Sequence, residues 1–208
     1  MVTSKKIMEL FFKVRYVYCI NNNTIKPIEK NGDVELAHFD FQKNSKEDLQ
    51  QILNNIISPN RVERYLARYD NNNDWELIVA YYNNKPVGTL WILNIKRPKF
   101  KFDSFIHDTN QVLIGGVYVN EKYRGRGIYG LMQYNAYKYI KSKFPGKTVL
   151  LVVEKNNYSS IRSNEKFGAE VYGVNYLLKL FGKNIISIFK HSKGINIWLL
   201  KRYKQTHY

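Results

Sequence analysis

Val117-Tyr118-Val119-Asn120-Glu121-Lys122-Tyr123-Arg124-Gly125-Arg126-Gly127-Ile128-Tyr129-Gly130 reads as a short apolar strand, a basic glycine-rich turn and the first turn of a helix. Amides at a helix start lack partners of their own, and the helix dipole makes that end partly positive. Such a turn is suited to gripping phosphate oxygens. Gly125 and Gly127 let the backbone approach a ligand closely, while Arg124 and Arg126 add charge. Three readings compete for the turn: a solvated loop, a nucleic-acid contact and a pyrophosphate cradle. It is not a P-loop, since no Gly-Lys-Ser/Thr ending follows. Its spacing, and the absence of an acidic residue at the expected distance, also exclude the dinucleotide fingerprint.

Downstream of the turn, Gly127 to Lys143 carries Ile128, Leu131, Met132, Ala136, Tyr139 and Ile140 on one helical face. Pro145-Gly146 stops that helix, and Val149 to Val153 is the continuous apolar run of a buried parallel strand. A short helix over Asn157 to Phe167 follows, with Gly168 as its C-terminal cap. Strands are then expected over Glu170 to Phe181, Ile185 to Lys190 and Ile195 to Tyr203.

Upstream, Val112 to Val119 is a strand interrupted by Gly115-Gly116, a pair that signals a bulge or a close backbone approach. Trp75 to Tyr82 and Val87 to Ile95 form a hairpin around Asn83-Asn84-Lys85-Pro86. Between hairpin and strand, Lys96 to Asn110 reads as a long loop. Leu49, Ile52, Leu53, Ile56 and Ile57 recur at helical spacing after Ser45, a candidate N-cap. Pro59 ends that helix, and a second short one is expected over Arg61 to Tyr69. Further strands are expected over Leu10 to Ile20 and Val34 to Phe41, the first followed by a turn at Asn21-Asn22-Asn23. This order of elements predicts a mixed α/β sheet.

The 208 residues suffice for one well-packed domain, and the apolar fraction of 44% with 15% aromatics supports a substantial core. No apolar run approaches a membrane span, and the charges within Phe11-Phe12-Lys13-Val14-Arg15 break any signal-peptide core. Cys19 is the only cysteine, so there is no disulfide framework or cysteine-based metal cluster, no metal is expected, and a cytoplasmic setting is the default. The net charge of +16 favours polyanions: nucleic acid, anionic lipid or phosphorylated small molecules. Its lysines are dispersed and no nucleic-acid-binding signature occurs, so a basic solvated surface accounts for the charge equally well.

One βαβ unit beyond the glycine turn stands Leu151-Val152-Val153-Glu154-Lys155-Asn156-Asn157-Tyr158-Ser159-Ser160-Ile161-Arg162-Ser163-Asn164-Glu165-Lys166-Phe167-Gly168-Ala169. With this second motif the chain resembles the GCN5-related N-acetyltransferase (GNAT) superfamily. The first family signature, Arg/Gln-x-x-Gly-x-Gly/Ala, is matched by Arg124-x-x-Gly127-x-Tyr129 except at its end. In the second, Asn157, Ser160, Ile161, Glu165, Lys166 and Gly168 match in register. The similarity spans Trp75 to Gly173, with motif-level strength from Val117 to Ala169.

The resemblance implies a mostly antiparallel twisted sheet flanked by helices and splayed at a central parallel strand pair. It implies acetyl-CoA, or another acyl-CoA, as co-substrate, with acyl transfer to an amine. The pyrophosphate would sit on the amides of Arg124, Gly125, Arg126, Gly127, Ile128, Tyr129 and Gly130. Val117 and Val119 would offer backbone groups to the pantetheine arm, and an amide near Val117 or Tyr118 would stabilise the oxyanion. Asn157 is read both as a cofactor contact and as the N-cap of its helix.

Three positions depart from the family pattern. Tyr129 stands where glycine or alanine is usual and would crowd the phosphates if it pointed at them. Asn164 occupies the place of the tyrosine that protonates the departing thiolate; asparagine is no acid, though it can hydrogen-bond to sulfur. Ala169 replaces an aromatic. The strand before the turn also lacks the carboxylate many relatives use as a base. Glu154 is the first candidate for that role, with Glu76, His107 and Asp108 behind it, and Tyr158 is a candidate replacement acid.

The sequence therefore predicts one GNAT-like domain over 1–208, with an N-terminal β extension over 1–30, a cofactor-binding core over 75–173 and a C-terminal β region over 174–208. The expected activity is direct attack of a primary amine on acetyl-CoA. The second motif resembles both ribosomal-protein acetyltransferases and GNATs acting on amino sugars. Tyr176 to Gly182 and the positive field point toward a sugar, including a nucleotide-linked one. A homodimer is compatible with the sequence. The alternative is a catalytically degenerate GNAT fold that binds CoA or a polyanion as an interaction module, and a third reading is a basic nucleic-acid binder.

Overall fold

The computed structural model describes residues 12–20, 25, 27–28, 32–70, 72–98, 100–102, 105–180, 183–192 and 194–199. Among these, eleven strands and four α-helices follow one another along the chain. Strands β1 (Phe12–Ile20) and β2 (Val34–His38) precede helices α1 (Lys46–Ile56) and α2 (Pro59–Leu66). The hairpin β3 (Trp75–Tyr82) and β4 (Lys85–Asn94) comes next, then the short β5 (Phe100–Phe102) and β6 (Phe105–His107). Strand β7 (Gln111–Val119), helix α3 (Ile128–Lys143), strand β8 (Thr148–Glu154) and helix α4 (Tyr158–Phe167) form the central unit. Strands β9 (Ala169–Leu180), β10 (Lys183–His191) and β11 (Gly194–Leu199) end it.

Local signals account for most boundaries. Ser45 and Asp48 form a reciprocal capping box: the Asp48 amide donates to Ser45 Oγ at 3.1 Å, and the Ser45 amide donates to Asp48 Oδ2 at 2.8 Å. Pro59 does more than stop α1, because it occupies the first turn of α2, where its missing N–H costs nothing. Gly168 closes α4 at φ 96°, a left-handed cap that glycine adopts without strain. The expected long loop after β4 instead contains the β5–β6 hairpin, paired Phe100 with His107 and Phe102 with Phe105. Leu10, the Asn21-Asn22-Asn23 turn, Phe181 and Leu200 to Tyr203 lie outside the described residues.

Nine of the described strands make one sheet in the order β11-β10-β9-β1-β8-β7-β4-β3-β2. Its sole parallel contact among the described strands is β7 with β8, joined through α3 as a parallel pair requires. Strand β1, read from sequence as part of an N-terminal extension, is placed inside the sheet and pairs antiparallel with both β8 and β9. Since β8 and β9 both run antiparallel to β1, the α4 crossover between them leaves a one-strand gap that β1 fills.

Strand alternation divides the core between the two faces. Ile78, Leu90, Ile92, Ile114, Val149 and Leu151 meet Ile128, Met132, Ala136 and Ile140 of α3 and Phe167 of α4. On the other face Leu77, Val79, Trp91, Leu93, Leu113 and Leu150 meet Leu49 and Leu53 of α1 and Val62 and Tyr65 of α2.

Candidate functional site

The sheet opens along its parallel pair. Pairing runs from Gln111 with Thr148 to Ile114 with Leu151 and stops there. Beyond it β7 turns away, because Gly116 at φ 59° forms a bulge in its ladder with β4, where the register slips between Thr89 and Trp91. The end of β8 stays with β1, pairing Val152 with Val17 and Glu154 with Arg15. A slot lies between Gly115–Val119 on one bank and Val152–Glu154 on the other. Val117 and Val119 pack toward the α3 face, whereas Tyr118 packs toward the α2 face.

The basic turn stands at the head of this slot. Asn120 fixes its start: its side chain accepts from the Lys122 amide at 3.1 Å and donates to the Asn55 carbonyl at 2.7 Å. Gly125 at φ 80° and Gly127 at φ 74° then bring the chain into α3, and a Cβ on either glycine would meet nothing within 4 Å. Gly127 is the N-cap and has no side chain to offer, so the first amides of α3 carry no side-chain cap. A Cβ on Gly130, by contrast, would stand 2.7 Å from Ile28 Cδ1, the tip of a side chain packed over this turn of the helix. Open space over two left-handed glycines is a cradle that a ligand's phosphates can fill.

Both arginines of the turn are anchored. Arg124 donates from Nε to the Val119 carbonyl and pairs with Glu121, each at 3.1 Å. Arg126 donates to Tyr82 Oη at 3.1 Å, and its guanidinium lies over the Tyr82 and Tyr123 rings at 5.1 and 5.8 Å.

Tyr129 turns its side chain toward α4, not into the turn. Its hydroxyl donates to Asn164 Oδ1 at 3.2 Å, and Gln133 Nε2 donates to the same oxygen at 2.6 Å. Gln133 and Asn164 are fully buried, and Gln133 Oε1 and Asn164 Nδ2 find no hydrogen-bond partner among the described residues. Burial pushes the Tyr129 pKa up to about 12, while hydrogen bonds with Ser160 and Asn164 work against the rise. Gln133, one helical turn on from Tyr129, carried no sequence signal, because polar burial depends on which helix packs against it.

The remaining candidates are dispersed. Asn157 caps α4, its side chain accepting from the Ser160 amide at 3.3 Å. Tyr158, at 67% exposure, projects into solvent from the first turn of α4. Glu154 lies on the slot's far bank in an ion pair with Lys13. Glu76 is held by Tyr139 and by Lys143, the latter at 3.0 Å, at the last turns of α3 and so at the opposite end of that helix from the cradle. His107 is bonded through Nδ1 to Gln111 at 3.0 Å, at the end of β7 remote from the slot, and Asp108 receives the Asn110 amide beside it.

The structure thus presents a mixed α/β sheet split along its parallel pair, with an uncapped helix start at the head of the split. The chain belongs to the acetyltransferase (GNAT) family, whose sequence profile matches residues 46–169, more than half of its length. That family catalyses acetyl-CoA-dependent N-acetylation in general.

Solved structures share the fold. One is a functionally unknown conserved protein from Staphylococcus epidermidis, with TM-score 0.58 and 22% identity over 83% of this chain and 64% of that one. Another is a Drosophila protein, with TM-score 0.57 and 15% identity over 85% of this chain and 55% of that one. A putative acetyltransferase of the GNAT family from Novosphingobium aromaticivorans matches with TM-score 0.52 and 11% identity over 79% of this chain and 62% of that one. The chain thus spans less than two thirds of the length of each of the three. At these identities the likeness is one of fold. Comparison with curated proteins gave no match.

Proposed function

We propose that the protein is a cytoplasmic acyl-CoA-dependent N-acyltransferase, moving an acetyl group from acetyl-CoA to the primary amine of an amino sugar or another small amine. The observation that carries this reading is the open cradle at the head of the slot. The amides from Arg124 to Gly130 would hold the pyrophosphate, with Arg126 positioned by Tyr82 and Tyr123 to add charge. Backbone groups of Val117, Tyr118 and Val119, released from β8, would bind the pantetheine arm and orient the carbonyl, with Asn157 at the start of α4 beside it.

Glu154 shares the bank opposite Tyr118 and is assigned deprotonation of the amine, directly or through water. Asn164 and Tyr158 were the sequence candidates on the leaving-group side. The Asn164 oxygen accepts from Gln133 and Tyr129, so the donor of this cluster left for hydrogen-bonding a departing thiolate is Asn164 Nδ2, which has no partner among the described residues. Tyr158 would have to swing in from solvent.

A second reading is a CoA- or polyanion-binding module without turnover. It draws on the Asn164 oxygen being committed to Gln133 and Tyr129, and on Glu154 being paired with Lys13. Calorimetry with acetyl-CoA and a thiol-release assay over amino sugars, polyamines and peptides separate the two. Binding with thiol release is the result expected of an enzyme, and binding with no release across the panel would identify the module. Steeply salt-dependent nucleic-acid affinity without CoA binding would overturn both.

The cradle makes its own prediction. Gly127→Ala should lower stability by only about 1–2 kcal/mol, the cost of a left-handed Cβ, because no neighbour is in the way. Its acetyl-CoA affinity should fall at least tenfold, since the new methyl stands where the phosphate must. Unchanged affinity in calorimetry would remove the pyrophosphate from this turn.

A further inference from the structure

The face of the sheet opposite the cradle has a distinctive charge. Strand β7 presents Tyr118 to the α2 side two residues after Gly116, about 7 Å from the bulge at strand spacing. Arg61 of α2 donates from Nη1 to Tyr118 Oη at 2.7 Å, and its guanidinium lies 5.6 Å from the centre of that ring. Tyr118 thereby fixes an exposed arginine at the mouth of the slot. Arg61 has no carboxylate partner among the described residues, so most of its donors face outward. Glu63, the only acid of α2, is two residues away and points to another side of the helix.

The charge behind Arg61 has the same sign. Arg68, seven residues on, is 8% exposed, with its guanidinium 4.4 Å from the Tyr65 ring, 4.1 Å from Trp75 and 4.9 Å from Trp91. It sits against the bulge itself: a Cβ on Gly116 would be 3.0 Å from Arg68 Nη1. Across the slot Arg15, also 8% exposed, is in register with Glu154, and Lys13 pairs with that carboxylate. Among the described residues, Lys13, Arg15, Arg61 and Arg68 thus bring four cationic side chains to this side of the slot, where Glu154 pairs with Lys13. A site for a bare cationic amine would have the opposite balance.

We propose that Arg61 and Tyr118 form an anion-binding subsite for the acceptor, so that the amine substrate also carries a phosphate or a carboxylate. This rests on the acyltransferase reading above and specifies its acceptor. Arginine offers parallel N–H groups that match either anion, and the tyrosine hydroxyl adds a further donor. With the subsite about two strand residues from the bulge, amine and anion belong to one small molecule. Arg68 and Arg15 contribute field from behind and across the slot, which strengthens the preference without touching the ligand.

The test is calorimetry on the protein saturated with CoA, using matched amines. Glucosamine 6-phosphate against glucosamine probes the phosphate source, and 4-aminobutyrate against butylamine probes the carboxylate source. At least one anionic member should bind tenfold or more tightly than its neutral counterpart, and the pair that shows it identifies the source. Arg61→Ala, a change at an exposed position, should reduce that preference about tenfold while CoA affinity is retained. Equal binding within both pairs, no binding by any of the four, or a preference that survives Arg61→Ala would overturn the subsite. Failure of CoA itself to bind would instead sink the acyltransferase reading, and the subsite with it.

Discussion

Gly116→Val is expected to abolish acyl transfer and to cost about 3–5 kcal/mol of stability, combining left-handed strain with overpacking. At φ 59° a β-branched side chain is strained before it meets any neighbour. The neighbours are also close: the new Cβ would stand 2.8 Å from Tyr65 Cε1 and 3.0 Å from both Arg68 Nη1 and Trp91 Cδ1. Relief would require β7 to abandon its bulge, and the bulge is what turns Val117 to Val119 away from β8. Gly115→Ala is the control, because a Cβ there meets nothing within 4 Å and φ is not positive. Denaturant midpoints and thiol-release rates of the two variants check the argument. Matching losses at both positions would show that the bulge geometry is not what the slot depends on.

Trp91→Ala should destabilise by about 3–5 kcal/mol, the usual cost of deleting a buried aromatic. The ring is fully buried at the centre of the α2-side core. It packs against Trp75 at 6.1 Å and 84°, against Tyr65 at 5.8 Å and against Phe41 at 6.2 Å, and it forms one wall of the Arg68 cage. For a chain of this length the melting temperature should fall by roughly 10–15 °C. Acetyl-CoA at a hundredfold excess over its dissociation constant should return about 2.7 kcal/mol, since it binds only the folded chain. A melt of the variant with and without acetyl-CoA measures both quantities. A fall of less than about 3 °C would mean that the cage and the core around it are loosely packed.

The strand–turn–helix–strand–helix unit was legible because its signals are local. Helical periodicity marks α3, a continuous apolar run marks β8, Asn157 caps α4, and Gly168 closes it. The bulge was legible for the same reason, since Gly115-Gly116 interrupts an otherwise apolar strand. The hairpin within Lys96 to Asn110 was not, because proline and lysines mask two very short strands. Base candidates could be named but not ranked. Glu76 and His107 are excluded by lying at the far ends of α3 and β7, a distance that only packing reveals.

What the amino-acid sequence determined by itself is the central turn and its partner helix: two glycines and two arginines at a helix start, followed at one βαβ spacing by an asparagine-capped helix. Those features rest on backbone conformation and helix electrostatics, which act over a few residues. Tertiary structure alone decided the rest. It placed β1 between β8 and β9, because the gap left by the α4 crossover can be filled only by a strand running the other way. It turned the Tyr129 side chain away from the glycine turn to Asn164, 35 residues later, and set Arg61 on Tyr118, 57 residues away. Contacts of that separation arise from which faces the sheet buries together, and no periodicity or motif in the chain encodes them.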